Sequence, residues 1–440
     1  MRTRTELTFF LLLALPLHVS AQSTNTTDQT ELIQQLWSRI ETLERRVSEL
    51  EGLPRSANPV AIQTVALASP ATPAAAHPET AMPNYQAGEQ QPAADAGAQP
   101  SYPSLKMAGF SDFNFSATDR NPLTLQRNAR SGFTEGQFVL HLTSALSSKV
   151  NYFAELSASA RTDAGTGSPA VTGFNFEMER TFIRFDQSDH FKASFGRYHT
   201  PINWWNTAYH HGQWLQTTIS RPEMTQFGGR FIPVHFVGAM VEGTVPSGSL
   251  NLNYNAGFGN GRGSVINRGG DAGDNNNHRA WLVNLFAKPD AWFGLQVGGS
   301  VYRDKITLAG QEFREWITSG HVVWQKEDPE IIAEFANVNH QAVDRDTSFN
   351  SQAYYIQVGY RLPWFEKLWK PYYRFEYIHI PQTDPIFLPP LVPNLDGSVV
   401  GLRYDISSFA AIKAEYRNLR RLPDPQPRVN GGFVQTSFTF

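Results

Sequence analysis

The sequence predicts an all-β protein: a sixteen-stranded antiparallel transmembrane β-barrel over residues 105–440, preceded by a short coiled-coil helix and a disordered linker. Three observations predict this class. From residue 105 onward, short segments alternate between apolar and polar side chains. The connections between these segments alternate in length, and the chain ends in a strand pattern closed by Phe440. This combination is typical of barrels in bacterial outer membranes.

The alternation is clearest over residues 249–259, where Leu252, Tyr254 and Phe258 alternate with Asn253 and Asn255. Successive side chains of a strand point to opposite faces, so this pattern gives one apolar and one polar face. A soluble β-sandwich would also alternate. Here, however, the polar positions carry Asn, Glu and Arg in a long series, and the apolar positions end in Tyr, Phe and Trp. An apolar exterior with aromatic girdles and a polar interior indicates a membrane barrel.

The connections support the same architecture. We count sixteen segments, joined by seven mostly short connections, such as 147–149, 187–189 and 289–291, and by eight mostly longer ones. Short turns on one side and longer loops on the other, with both ends of the barrel on the short-turn side, are typical of outer-membrane barrels.

Residues 1–21 are predicted to form a signal peptide. Arg2 and Arg4 give a basic start, an apolar run covers residues 7–17, and small residues at 19–21 suit cleavage. A membrane-anchor helix is the alternative, but the run is short and Pro16 interrupts it. We therefore expect the barrel in the bacterial outer membrane and the N-terminal segment in the periplasm.

Residues 22–52 are predicted to contain a coiled-coil oligomerisation helix, which begins with the capping pair Asp28 and Glu31 and ends at Gly52. Its apolar stripe has nothing else in the chain to pack against, so the helix should self-associate. β-branched a positions with Leu at d favour a dimer in isolation. The seam consists of Ile33, Leu36, Ile40, Leu43, Val47 and Leu50.

Residues 53–104 are rich in Pro, Ala and Gln, and they cannot bury enough apolar surface to fold. They are predicted to be a linker between the coiled coil and the barrel. The net charge of −3 implies no nucleic-acid partner, and the lack of cysteine excludes disulfides and thiolate metal sites. We expect no cofactor.

The segment from His199 to Pro233 is the longest interruption of the alternating pattern and the third long connection. It is expected to lie inside the barrel and to determine which solutes pass. An ordinary surface loop is the alternative. The candidate constriction and binding residues are His199, Trp204, Trp205, His210, His211, Trp214, Arg221 and Arg230.

These residue types allow several roles. The tryptophans could stack on sugars or other flat solutes, or they could pack the loop against the wall. The arginines could attract anions, or they could pair with Glu223. Adjacent histidines such as His210 and His211 usually diverge and no carboxylate cluster accompanies them, so we expect no metal site.

The segment Gly196-Arg197-Tyr198-His199-Thr200-Pro201 resembles a strand-end motif of the phosphate-selective porin family, and the architecture of residues 105–440 resembles sixteen-stranded porins. The resemblance implies a trimeric, substrate-preferring channel whose third extracellular loop folds inward. The terminal Phe440 resembles the C-terminal signal that the barrel assembly machinery reads.

A set of charged residues falls on the inward faces of three successive predicted strands. It could form a charge ladder along the pore wall, or its members could pair and stiffen the wall. With basic and acidic residues nearly balanced, we expect weak charge selection. The set, called the wall charges below, consists of Arg374, Glu376, Arg403, Asp405, Lys413, Glu415 and Arg417.

We predict a porin for passive diffusion of small hydrophilic solutes, and not an enzyme. An outer-membrane lipase would need a Ser–His pair on the lipid-facing wall, and the sequence offers no supported candidate. The alternative is a structural tether between outer membrane and cell wall, with a largely closed barrel. The expected partners are outer-membrane lipid, further copies of the chain as a trimer or a dimer, the assembly machinery, and peptidoglycan through the N-terminal segment.

Overall fold

A computed structural model describes residues 101–120, 130–160, 173–227, 230–262, 266, 270, 273–274, 276–387, 392, 394–421 and 428–440. The predicted signal peptide, coiled coil and nearly all of the linker lie outside these residues. No helix of the described residues is long and apolar enough to cross a membrane.

Sixteen antiparallel strands form one closed barrel, as the sequence predicts. Each strand pairs with its neighbours in the chain, and β1 pairs with β16 to close the sheet, with Phe110 opposite Thr439. The strands are β1 Lys106–Thr118, β2 Arg130–Ala145, β3 Val150–Ala160, β4 Phe174–Ser188, β5 Phe191–His199, β6 His235–Val245, β7 Leu252–Asn260, β8 Arg279–Ala287, β9 Leu295–Leu308, β10 Gln311–Trp324, β11 Glu330–Ala342, β12 Ser348–Gly359, β13 Trp369–His379, β14 Leu395–Ser407, β15 Ala410–Arg421 and β16 Arg428–Thr439.

The outer surface of the barrel is apolar. On β12, Tyr354, Ile356 and Val358 are exposed, whereas the alternating Tyr355 and Gln357 are buried. Large apolar side chains are exposed in the same way on most other strands, including Phe258, Leu285, Tyr373, Val400, Ile412 and Val434. A soluble protein would bury such a continuous apolar surface, so this exterior fits contact with lipid.

The inner surface is less polar than predicted. On β8 and β9, the inward Leu282, Phe286, Tyr302 and Ile306 are almost fully buried, and β10 and β11 continue this apolar lining. Leu282, Tyr302 and Ile306 pack in one cluster with loop residues that fold into the barrel, such as Trp205. Because the inward side chains here contact folded loops instead of water, this part of the wall can be apolar.

One predicted long connection is only two residues long. β9 and β10 continue to the turn at Ala309 and Gly310, whose φ angles are 50° and 79°. Positive φ at both central residues is the type I′ geometry that matches the twist of a hairpin, and glycine adopts it without strain. The prediction of a longer loop here was wrong because the strands extend further than their alternation shows.

The C-terminal residue is held in the sheet. The backbone N–H of Phe440 donates to the carbonyl of Gly109 at 3.0 Å, and its ring stacks on Phe138 with a centroid distance of 5.8 Å. The Phe440 side chain remains exposed on the outside of the barrel.

A β-bulge in β4 changes the direction of its side chains. Glu155 of β3 pairs with Arg180, but the next residue, Leu156, pairs with Met178, so Glu179 is an extra residue. Both Glu179 and Arg180 are consequently buried, although neighbours in a regular strand would point to opposite faces.

Candidate functional site

The segment from His199 to His235, called the inner loop below, leaves and re-enters the sheet at one place. His199 and His235 are opposite each other at the ends of β5 and β6, and the Thr200 N–H donates to the Val234 carbonyl at 2.8 Å. Asn203 has a φ of 62°, which asparagine tolerates, and it turns the chain into a single helical turn, Trp205–Ala208. These contacts fix the base of the inner loop, where its two ends meet the sheet.

The inner loop reaches β11 first. The backbone N–H groups of Trp204 and Trp205 both donate to Oε1 of Glu334 at 2.7 Å. Further along, the Thr217 hydroxyl donates to the Glu330 carboxylate at 2.8 Å. Charge-assisted hydrogen bonds to a buried carboxylate are the stronger kind, so these contacts fix the first half of the loop.

The loop then reaches the wall opposite its base. In a barrel of sixteen strands, β13 and β14 lie halfway round from β5 and β6. Glu415 of β15 accepts from the N–H of Ile219 at 2.9 Å, and Arg374 of β13 donates to the carbonyl of Ser220 at 2.8 Å. Because the loop bonds to both sides of a closed barrel, it crosses the interior.

The wall charges hold the loop backbone. Arg403 donates to the carbonyls of Trp214 and Gln216 at 2.7 and 2.8 Å. Lys413 donates to the carbonyl of Gln213, and Glu376 accepts from the N–H of Glu223 at 2.6 Å.

Within the wall, Asp405 pairs with Arg403 at 2.7 Å and Arg417 pairs with Glu415 at 2.6 Å. The structure thus brings all seven wall charges together on β13, β14 and β15. Their predicted role in lining an open pore stays a prediction.

The tryptophans are placed for packing. Trp204 and Trp205 are buried, and both meet the ring of Tyr209 edge-on, at 4.7 and 5.0 Å between centroids. Trp205 also lies edge-on to Tyr355 of β12 at 6.0 Å. Trp214 is partly buried, and the guanidinium of Arg403 lies 5.9 Å from its ring.

The two predicted arginines have different surroundings. Arg221 is buried, donates to the carbonyl of His210 at 2.9 Å and lies 3.9 Å from the centre of the Phe227 ring. Burial lowers the pKa of Arg221 to about 9, although the charge of Glu179 opposes this shift. Arg230 is exposed and is not part of this cluster.

The histidines converge on the bulge. Nε2 of His211 lies 3.2 Å from Oε1 of Glu179, while Nε2 of His210 and of His235 lie 3.8 and 2.9 Å from Oε2. His199 completes the group, with its ring centroid 3.8 Å from that of His210. The expectation that His210 and His211 diverge was wrong, because the turn that ends at Gly212, with a φ of 88°, aims both rings at one carboxylate.

A second buried carboxylate lies next to this group. Glu155 is paired with Arg180, and its two oxygens lie 3.2 Å from Nε2 of His141 and 3.5 Å from Nε2 of His199. The alternating pattern assigns Glu155 to the inward face, but it gives no sign that five histidines meet at Glu155 and Glu179. The sequence did carry one signal of this group, because the alternation becomes irregular at the adjacent residues Glu179 and Arg180.

Another loop also folds inward, which the sequence did not reveal. Phe387 is fully buried and stacks on Phe231 of the inner loop, with 5.5 Å between centroids. Nearby, His340 of β11 lies between Asp384 and Glu315, at 2.8 and 2.9 Å. Residues 380–387 therefore pack against the end of the inner loop.

No protein-family model matches the sequence. No curated protein matches it either.

Among solved structures, the barrel is similar to an anion-selective porin from Comamonas acidovorans, with a TM-score of 0.55 and 10% identity over 77% of this chain and 100% of that one. It is also similar to the outer-membrane channel DcaP of Acinetobacter baumannii, with a TM-score of 0.53 and 11% identity over 77% and 97% of the two chains. Salmonella typhi OmpF, solved in complex with daunomycin, has a TM-score of 0.52 and 11% identity over 76% and 97%. At these identities the likeness establishes the fold, which is that of outer-membrane porins.

Proposed function

We propose that this protein is a channel of the bacterial outer membrane for passive diffusion of small hydrophilic solutes, and that the inner loop forms its constriction. The observation that carries the proposal is the set of hydrogen bonds from the loop backbone to Glu334 on β11 and to Arg374 and Glu415 on the wall opposite the base of the loop. A segment tied to both sides of a barrel limits the cross-section through which solutes can move.

The barrel supplies the remaining requirements of a pore. Its apolar exterior suits lipid, and its closed sheet leaves no unpaired strand edge within the hydrocarbon region. Sixteen strands enclose a lumen wide enough for an aqueous channel unless something fills it. The inner loop is the longest described segment available to do so.

The wall charges bear on selectivity. Arg374, Arg403 and Lys413 donate to loop carbonyls, and Glu334 and Glu415 accept from loop N–H groups, so these charged side chains are engaged by the loop backbone. Strong charge filters use rings of one sign that face the ion path. Weak selection between anions and cations is the expected behaviour, without the phosphate preference of the family that the sequence resembles.

A structural tether with a largely closed barrel is the second candidate. The observation in its favour is the second inward loop, where Phe387 stacks on Phe231 and both rings are nearly inaccessible to solvent. Two loops packed together could block the lumen. The predicted coiled coil and linker would then provide the function, through self-association and contact with peptidoglycan.

The deciding experiment is deletion of residues 204–216, recorded in planar bilayers. Removing this part of the loop is expected to raise single-channel conductance severalfold, because it leaves the strands in place and widens the lumen. The matched control replaces Trp204, Trp205 and Trp214 by Ala, which keeps the loop backbone and should enlarge the pore less.

Heat-modifiable gel mobility checks that each variant forms a barrel. Unchanged conductance in a correctly inserted deletion variant would contradict the proposed constriction. A wild-type protein that shows no conductance, and opens only on deletion, would favour the tether.

A further inference from the structure

The histidines around Glu179 form a compact group with a carboxylate at the base of the inner loop. Glu179, His199, His210 and His235 each place one potential ligand atom within 4.8 Å of all the others. All four are buried or nearly so, at the base of the inner loop where β4, β5 and β6 meet it. Imidazole nitrogens and one carboxylate oxygen, held in a small volume, are the donors that Zn²⁺ prefers.

Asn206 and Arg221 both lie against Nδ1 of His210. The Asn206 side-chain amide donates to the carbonyls of Thr200 and Val234 at 2.7 and 3.1 Å, so its oxygen is the atom that faces His210. That oxygen lies 3.3 Å from Nδ1 of His210, and a nitrogen of the Arg221 guanidinium lies 3.4 Å from the same Nδ1. Nε2 of His210 points to the Glu179 carboxylate at 3.8 Å and has no hydrogen-bond partner among the described residues.

Neither ring nitrogen of His199 has a hydrogen-bond partner among the described residues, so this buried imidazole is also open to a ligand.

His235 differs from these two rings. A nitrogen of the Arg197 guanidinium lies 2.9 Å from Nδ1 of His235, and a guanidinium can only donate. Nδ1 is consequently the acceptor, and Nε2 of the neutral ring keeps its hydrogen and cannot coordinate. Since that Nε2 lies 2.9 Å from Glu179, His235 is suited to hold the carboxylate in place.

We propose that Glu179, His199 and His210 bind a divalent transition-metal ion, with Zn²⁺ as the expected occupant and His235 as a positioning residue. The fourth position falls to water, because the ligand atom of His211 groups with Glu155 and His199 instead. The donor set favours Zn²⁺ over Mg²⁺ or Ca²⁺, which prefer oxygen ligands. Bound metal would join the inner loop to the bulge in β4.

The test measures metal binding directly, on the full-length chain in detergent after chelator treatment and dialysis. Calorimetry with Zn²⁺ is expected to give one site per chain. Co²⁺ in the same site should show the visible absorption of a tetrahedral nitrogen and oxygen donor set. Neither readout depends on conductance, so the result is separate from the fate of the channel proposal.

Matched variants locate the site. Glu179→Gln and His210→Gln should each weaken Zn²⁺ binding by about 100-fold or more, because each removes a ligand while keeping a similar shape. His235→Gln should weaken binding by roughly 10- to 100-fold, the usual effect of losing an outer-sphere partner. His278→Gln, an exposed histidine outside the group, should bind as the wild type does.

Heat-modifiable gel mobility identifies the variants that form a barrel. The Co²⁺ spectrum is recorded on the unmodified chain, so it does not depend on the folding of any variant. The proposal is overturned if the folded wild type takes up no Zn²⁺ and gives no tetrahedral Co²⁺ spectrum. It is also overturned if folded Glu179→Gln or His210→Gln binds Zn²⁺ as tightly as the wild type.

Discussion

Replacing Arg374 by Met should release the inner loop and leave the barrel intact. Arg374 is fully buried on β13 and donates to the carbonyl of Ser220 at 2.8 Å, to the Ser220 hydroxyl at 2.6 Å and to the carbonyl of Arg221 at 3.1 Å. Methionine has a similar length and no donor. The β13 backbone pairing with β12 and β14 does not involve this side chain, so the strands should stay paired.

The expected magnitude follows from these three bonds. A hydrogen bond to a charged group contributes about 1.5–3 kcal/mol. Bonds made by one side chain are not independent, so we take about 3–5 kcal/mol, roughly the value of two such bonds, as the loss in the free energy that keeps the loop docked. Since about 1.4 kcal/mol is a tenfold change in an equilibrium constant, the undocked population should rise by roughly 100- to 4000-fold.

Hydrogen exchange followed by mass spectrometry measures this change. The Ile219 and Ser220 amides, which Glu415 protects, should exchange faster by the same factor, while strand peptides keep their wild-type rates. The control is Arg314→Met, the same chemical change at an exposed position of β10. Equal exchange of residues 204–220 in the two folded variants would refute the role assigned to Arg374.

Three further predictions concern other parts of the chain. Burial would raise the pKa of Glu327, but Lys370 and Arg361 lower it to about 2 from 4.5. The stability that the ionised Glu327 adds should therefore be complete above about pH 4.5 and should be lost as the pH falls towards 2. The difference in thermal midpoint between wild type and Glu327→Gln should close over the same range. A difference that persists near pH 2 contradicts the pairing. Removing residues 22–104 should leave an inserted, heat-modifiable barrel, and a truncated chain that fails to fold would contradict the division into domains. Asp in place of Leu36, Ile40 and Leu43 should make a 22–52 peptide monomeric in ultracentrifugation, whereas a wild-type peptide already monomeric would disprove the seam.

The sequence by itself determined the strands and their number. Alternation follows from backbone geometry, because successive strand side chains must face opposite ways, and a lipid exterior requires one face to be apolar. It therefore identified the exposed face of β12 and the inward direction of the wall charges such as Arg403. It also identified the inner loop, since a long segment without alternation cannot be a strand.

Only the tertiary structure decided what the inner loop contacts. Ile219 and Glu415 are separated by 196 residues, and they meet because the barrel closes and places β15 across from the loop's base. The histidine group depends on an extra residue at Glu179, which turns two neighbouring side chains to the same face and is not visible as a period. The apolar lining at Ile306 likewise reflects contact with folded loops, because burial depends on what packs against a face and not on which way that face points.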